Sequence, residues 1–207
     1  MRRRLFLSLA VAAFAAAAFA QPAPPLLEGP ALAAALREGG YVLYLRHTST
    51  DFGQNDEQMT DYANCAQQRN LTDRGREHAR AIGEAIRALA IPIGPVVASP
   101  YCRTMETATL AFGAADRADA VREPGPAPAG SKERFTALRG LLSTAPPAGT
   151  NEVVVGHAYP FFSLVGGQYL DEGQAAVIRP QGASFEVVAR VWLKEWHGLA
   201  QLPRKSE

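Results

Sequence analysis

The sequence predicts a single α/β domain with a mainly parallel central sheet and helices on both faces. Short apolar runs of strand length occur at 41–45, 96–98 and 152–155, and helical patterns separate them. Alternation of this kind favours parallel strands covered by helices on both sides. The chain has 207 residues, of which 47% are hydrophobic, so it can bury one sizeable core.

Helical periodicity and chain breakers place the remaining elements. Apolar residues recur at helical spacing at Ile82, Ile86 and Leu89. Helices are predicted at 31–37, from Thr72 or Asp73 to about 90, from Ser99-Pro100 to 112 and at about 131–142. Segments 92–95 and 114–130 contain Pro or Gly and lack periodicity, so we expect a break and a surface loop.

The C-terminal part of the chain predicts an antiparallel hairpin at the edge of the sheet. Apolar strand patterns occur at 175–179 and 185–192, and a short connection through Gly182 joins them. A last helical turn is expected near Glu195. The sequence shows no internal repeat or linker, so we expect one domain over 31–207.

The N-terminus has the pattern of a secretory signal peptide over residues 1–20. Three arginines at 2–4 precede an apolar run at 5–20, which ends in Ala-Phe-Ala. The alternative is an uncleaved anchor, but this run is shorter than the roughly 20 residues of a bilayer span. We expect cleavage, a Pro-rich leader at 21–30 and an exported protein, periplasmic or extracellular, without stable membrane insertion.

The charge balance argues against a nucleic-acid-binding domain. The formal net charge is +1, and without the arginines at 2–4 the chain has 18 basic against 20 acidic residues. Domains that bind DNA or RNA through phosphate neutralisation are strongly basic as a whole. Any anion site in this protein must therefore be a local cluster.

Cys65 and Cys102 are the only two cysteines of the chain. Disulfides persist outside the cytoplasm, so export favours a bridge between them over two free thiols. A bridge would tie the polar segment around Cys65 to the residue that precedes Arg103.

Basic side chains follow the first three predicted strands of the sheet. The strands lead into Arg46-His47, into Ser99-Pro-Tyr-Cys-Arg103 and into Gly156-His157. Ligands bind outside the carboxyl ends of such strands. Two guanidinium groups there can bind the oxygens of a phosphate, and a neutral imidazole beside them can attack its phosphorus atom. Singly, such residues are more often structural or surface groups. His78 and His197 follow no strand of the predicted sheet, and we expect no catalytic role for them.

Four motifs together resemble the histidine phosphatase superfamily, also called phosphoglycerate mutase-like. They are Leu-Arg-His-Thr at 45–48, Leu-Thr-Asp-Arg-Gly at 71–75, Ser-Pro-Tyr-Cys-Arg-Thr-Met-Glu-Thr-Ala at 99–108 and Val-Val-Gly-His at 154–157. The resemblance implies a reaction without metal or other cofactor, in which His47 becomes a phosphohistidine. Arg46, Arg103 and His157 would be catalytic residues that bind the phosphoryl oxygens.

Two positions depart from the pattern of the family. Thr48 stands where the family usually has Gly, so we expect a narrower pocket or an added hydroxyl that contacts substrate. Ala158 stands where the acid-phosphatase and phytase branch has its Asp proton donor. The general acid must then come from another segment, as in the branch that contains the mutases.

Glu123 is the first candidate for that general acid, because it lies 20 residues after Arg103, as the resemblance implies. Asp51 is the second candidate and Glu133 the third. Glu106, one helical turn after Arg103, is expected to orient the arginine.

The predicted function is an exported phosphomonoester hydrolase of the phosphohistidine type. A phosphorylated small molecule, an envelope component and a phosphoprotein stay open as substrates, while a mutase is disfavoured by export and by the short Pro- and Gly-rich loop. The alternative is a non-catalytic module that binds a phosphate ligand. A carboxylate of Glu123 or Asp51 close to the imidazole region of His47 would favour the enzyme.

Overall fold

The computed structural model describes residues 26–123 and 132–201, without the side chains of 132–134. In this part of the chain the helices are Gly29–Glu38 (α1), Asp73–Ala88 (α2), Cys102–Phe112 (α3), Lys132–Ser143 (α4), Ala158–Val165 (α5) and Leu193–Ala200 (α6). The strands are Val42–Arg46 (β1), Ile93–Ala98 (β2), Asp116–Arg117 (β3), Asn151–Gly156 (β4), Ala175–Pro180 (β5) and Phe185–Val191 (β6). The predicted signal peptide lies outside the described residues, and the domain boundaries stay predictions.

The strands form one sheet in the order β3-β2-β4-β1-β5-β6. The pairs β3–β2, β2–β4 and β4–β1 are parallel, whereas β1–β5 and β5–β6 are antiparallel. The predicted fold class, including the antiparallel hairpin at the edge, is confirmed. Strands β2, β4 and β1 therefore end side by side at one edge of the sheet.

Each face of the sheet has its own apolar core, because successive strand residues point to opposite sides. Leu43 and Leu45 of β1 pack with α1, α2, α3 and α6. Val42 and Tyr44 pack against α4 and α5 on the other face. In β4 the residues 153–155 are fully buried, as expected for a central strand covered on both sides. None of the described helices is long and apolar enough to cross a bilayer.

Two element boundaries and one whole helix differ from the sequence predictions, each at a proline. Helix α1 begins at Gly29 with Pro30 in its first turn, a position where proline is tolerated. Strand β2 begins at Ile93 rather than 96, since the pairing register shifts between Ile93 and Val96 and so accommodates Pro95. Helix α5, which has Pro160 in its first turn, was not predicted at all.

The close contact between α2 and α3 requires glycine at position 83. A Cβ atom at Gly83 would collide with the backbone carbonyl oxygen of Ala111. We expect Gly83→Ala to lower the free energy of unfolding by about 1–3 kcal/mol, measured by urea denaturation. Gly140→Ala in α4 is the matched control, because its Cβ would meet no atom within 4 Å; it should leave stability unchanged or raise it by up to about 1 kcal/mol. Equal effects of the two changes would contradict this account.

Candidate active site

The basic side chains predicted from the sequence meet at the shared carboxyl edge of β2, β4 and β1. Arg46 pairs with Gly156 in register, and Ala98 pairs with Val155. The residues that follow these strands are therefore neighbours in space. The ring centroids of His47 and His157 are 5.5 Å apart.

His47 lies at the floor of the site with its side chain in a fixed orientation. Its backbone N–H donates to the carbonyl of Gly156 over 3.0 Å. Its Nδ1 lies 2.9 Å from the carbonyl oxygen of Thr48. A carbonyl oxygen only accepts, so Nδ1 carries the proton of the neutral ring and Nε2 holds the lone pair. This is the form in which an imidazole acts as a nucleophile.

Both site histidines have a pKa well below the usual range. Burial is the main cause for each, because both rings are almost completely removed from solvent. The positive charge of Arg103 is the next cause and acts in the same direction. Both histidines are therefore neutral near pH 7.

His157 is held by three neighbours from two segments. The Tyr44 hydroxyl donates to its carbonyl oxygen (2.8 Å) and accepts from its N–H (3.1 Å). Its Nε2 lies 2.8 Å from the hydroxyl oxygen of Ser99, and Tyr101 packs edge-on against the ring. Strand β1 thus fixes the backbone of His157, and the turn before α3 sets the orientation of its ring.

Arg103 is in the first turn of α3, as predicted, and its side chain is fully buried. Its Nη1 donates to Asp56, with distances of 3.0 and 3.1 Å to the two carboxylate oxygens. Its Nη2 donates to Glu123 over 3.2 Å. The expectation for Glu106 was wrong, since Glu106 accepts from Arg76 on α2 instead. The two positions are one turn apart, but their side chains have different partners.

Arg46 and His47 share a carboxylate that the sequence analysis missed. Oε1 of Glu172 lies 3.8 Å from Nη2 of Arg46, 3.9 Å from Nδ1 of His47 and 3.6 Å from Nη1 of Arg69. Glu172 follows α5, the helix that the sequence did not predict, so no pattern placed it near the site. Arg46 is held further by a bond from Nη1 to the carbonyl of Leu170 (2.7 Å).

Three buried nitrogens of the site have no hydrogen-bond partner among the described residues. They are Nε of Arg46, Nε of Arg103 and Nδ1 of His157. Buried polar groups are normally paired, so unpaired donors gathered at one place indicate a ligand with several acceptor oxygens. A phosphoryl group has this chemistry.

Glu123 is the candidate acid that the fold brings into the pocket. One of its carboxylate oxygens lies 3.2 Å from Nη2 of Arg103 and 3.7 Å from Nδ1 of His157. Asp51 is exposed, and its carboxylate accepts from the N–H of Gly53 in a turn. The side chain of Glu133 is outside the described part of the structure.

Thr48 is fully buried and faces α3. Its hydroxyl lies 3.3 Å from that of Thr107, which also accepts from the Thr48 N–H. This placement favours a packing role over the substrate contact that we predicted for Thr48.

The predicted Cys65–Cys102 disulfide is confirmed, with 5.7 Å between the Cα atoms. It ties the polar segment between β1 and α2 to the first residue of α3. Within the described ranges, His, Cys, Asp and Glu side chains form no group of three or more that would hold a metal ion.

Comparison with known proteins supports the resemblance. The family model of the histidine phosphatase superfamily (branch 1) matches residues 42–125, a range that contains His47, Arg103 and Glu123. His157 lies beyond it. No curated protein matches the chain in sequence.

Solved structures share the fold at low sequence identity. The protein histidine phosphatase SixA in complex with tungstate is 15% identical with a TM-score of 0.52, over 74% of this chain and 97% of its own. A phosphoserine phosphatase mutant from Entamoeba histolytica, bound to phosphoserine, is 12% identical with a TM-score of 0.53, over 75% and 98%. A candidate alpha-ribazole-5′-P phosphatase from Escherichia coli is 16% identical with a TM-score of 0.53, over 72% and 95%. At these identities the likeness shows the fold.

The buried neutral histidines predict a loss of stability in acid. In the unfolded chain both rings take up a proton below their ordinary pKa of about 6.5, whereas in the folded protein they stay neutral to a lower pH. The free energy of unfolding should therefore fall as the pH drops through that value. His47→Asn should make this fall less steep in urea titrations between about pH 8 and 5. His197→Asn, at an exposed position on α6, should keep the wild-type slope, and an unchanged slope in His47→Asn would contradict the prediction.

Proposed function

We propose that this chain, which matches the branch 1 model of the histidine phosphatase superfamily over residues 42–125, hydrolyses phosphomonoesters through a phosphohistidine intermediate on His47. The observation that carries the proposal is the set of three unpaired buried nitrogens, on Arg46, Arg103 and His157, beside a neutral imidazole. The nitrogens can donate hydrogen bonds to the phosphoryl oxygens, and the imidazole can attack the phosphorus atom.

In the first step, Nε2 of His47 attacks phosphorus and the bond from phosphorus to the ester oxygen breaks. The two guanidinium groups and His157 bind the phosphoryl oxygens and stabilise the charge that develops in transfer. The carboxylic acid of Glu123 protonates the leaving oxygen.

In the second step, the carboxylate of Glu123 takes a proton from water. The water oxygen attacks phosphorus, the bond to Nε2 breaks, and inorganic phosphate leaves with neutral His47 restored. Both steps need an acid or base next to the phosphoryl group, and the position of Glu123 beside Arg103 and His157 supports this role.

The alternative of a non-catalytic phosphate-binding module has less support. Its support was Thr48 in place of the usual Gly and the lack of a certain acid. A carboxylate oxygen of Glu123 lies 3.7 Å from Nδ1 of His157, and the ring centroids of His157 and His47 are 5.5 Å apart, which supports Glu123 as that acid. The fold neighbours include a protein histidine phosphatase and a phosphoserine phosphatase. They support the reaction class and leave the phosphorylated small molecule, envelope component or phosphoprotein open as substrate.

We also propose that the protein acts outside the cytoplasm. The signal-peptide pattern at 1–20 supports export. The Cys65–Cys102 disulfide is consistent with it, because such bonds persist in oxidising compartments.

The proposal predicts that the protein hydrolyses p-nitrophenyl phosphate in the presence of EDTA. His47→Ala should abolish turnover, since the nucleophile is removed, and acid-labile phosphate should be trapped on the wild type but not on the variant. His78→Ala on α2 is the matched control and should keep full activity. Turnover that survives in His47→Ala, or that requires added metal ions, would refute the mechanism.

The assignment of Glu123 as general acid predicts a dependence on the leaving group. Glu123→Gln should lower the rate of the first step, measured as release of the leaving group in a single turnover, about 100-fold or more for an alkyl phosphate, whose leaving oxygen needs a proton. The loss should be much smaller for p-nitrophenyl phosphate, whose leaving group ionises near neutral pH. Asp51→Asn is the control and should change neither rate. Equal losses with both substrates would contradict the acid role.

A further inference from the structure

The polar segment between β1 and α2 contributes a side chain to the site that the reaction scheme does not use. Asp56 lies on this segment and is partly exposed. Both its carboxylate oxygens lie within hydrogen-bond distance of Nη1 of Arg103, and one of them also accepts from the N–H of Arg69 (2.8 Å). Asp56 is thus fixed by its own segment while it binds the guanidinium of Arg103.

Arg103 has a second carboxylate partner, Glu123, but that partner changes charge during the proposed reaction. When Glu123 is protonated, Asp56 is the remaining carboxylate bound to a fully buried positive charge. A buried charge without a partner is strongly unfavourable. The contact with Asp56 therefore leaves the guanidinium of Arg103 with a partner in both protonation states of Glu123.

Besides the bonds of Arg103 to Asp56 and to the carbonyl of Arg69 (3.4 Å), two contacts attach the segment that carries Asp56 to α3. The Cys65–Cys102 disulfide is the covalent attachment. The second is Gln68, whose side chain accepts from the N–H of Cys102 (2.9 Å) and donates to the carbonyl of Tyr62 (2.9 Å). Both attachments end at the residue next to Arg103, so the position of Asp56 relative to the guanidinium depends on them.

We propose that Asp56 is a positioning residue that holds Arg103 for phosphate binding, and that the Cys65–Cys102 disulfide makes this positioning sensitive to dithiol reductants. The proposal rests on the proposed function in that the bound anion is the phosphoryl group. It adds a residue and a redox dependence to the same site.

The disulfide is accessible to a reductant. Both cysteines line an open cavity of about 790 Å³ between the polar segment and the outer side of α3. A dithiol supplies two electrons and two protons: the S–S bond breaks, two thiols form, and the dithiol closes to its own disulfide. The bond from the N–H of Cys102 to Gln68 does not involve sulfur, so we expect it to persist after reduction and the segment to loosen without being released.

The first test measures binding of inorganic phosphate to the full folded protein by titration calorimetry. Asp56→Asn should weaken binding about tenfold, the loss expected for one charge-assisted contact, and Asp56→Glu should restore part of it. In turnover assays Asp56→Asn should raise KM more than it lowers kcat. Asp61→Asn is the matched control on the same segment, because the carboxylate of Asp61 accepts from the N–H of Ala63 in a local turn; this variant should bind phosphate like the wild type.

The second test compares oxidised and dithiothreitol-reduced protein. Reduction should weaken phosphate binding of the wild type about threefold through loss of order in the segment. It should have much less effect on Asp56→Asn, in which the proposed link to Arg103 is already lost. Circular dichroism and the melting temperature of each sample establish that the fold is kept. The variant Cys65→Ser removes the disulfide without any added reductant.

The outcomes separate this inference from the proposed function. Phosphate binding that is equal in wild type, Asp56→Asn and Asp61→Asn would overturn the role of Asp56. Equal weakening by dithiothreitol in wild type and Asp56→Asn would overturn the link to the disulfide. A wild type that binds phosphate without turning over esters would refute the hydrolase while still deciding the role of Asp56, and a wild type that binds no phosphate would overturn both.

Discussion

The buried positive charge of Arg103 is the constraint on which the rest of the site depends. A guanidinium that is removed from water must have anionic and hydrogen-bonding partners close by. Two segments far apart in sequence provide them: the loop after β1 through Asp56 and the loop after β3 through Glu123. The ring of Tyr101 covers one face of the guanidinium, with its centroid 4.3 Å from the central carbon. The loop after β1, the loop after β3 and the turn before α3 therefore all take their positions around the side chain of Arg103.

The central position of β4 gives the site a rigid floor. Parallel neighbours lie on both sides of this strand, and the Tyr44 hydroxyl on β1 satisfies both backbone groups of His157. His47 is bonded in turn to the carbonyl of Gly156. The backbones of the two histidines are thus held by β1 and β4, whereas the carbonyl of Thr48 and the hydroxyl of Ser99 orient their rings.

The sequence predicted the parts of the site that follow regular elements. His47 and His157 come directly after apolar runs, and Arg103 follows a run that ends in Ser-Pro, so their meeting is a consequence of parallel strand order. The predicted disulfide partner of Cys102 was correct because the chain offers a single pair. These inferences need only local sequence patterns and the rule that the carboxyl ends of parallel strands lie at the same edge of a sheet.

The parts that sequence reasoning missed lie on irregular segments. Asp56, Arg69 and Glu172 belong to connections with no periodicity, and their approach to the site is decided by tertiary contacts. Glu106 shows a different error. Helical spacing predicted a contact with Arg103, whereas Glu106 binds Arg76 of the neighbouring helix. Helix α5 escaped prediction since it is short and has a proline in its first turn.

The division between a floor built on strand ends and a rim built on irregular connections has an evolutionary consequence. Apart from Asp56 and Glu123, which bind the buried Arg103, residues of these connections can be replaced without breaking hydrogen bonds of the sheet. Insertions and substitutions at those other positions carry little penalty in folding, whereas changes to the floor displace His47 and His157. A fold built in this way can therefore carry different connections over the same pair of histidines.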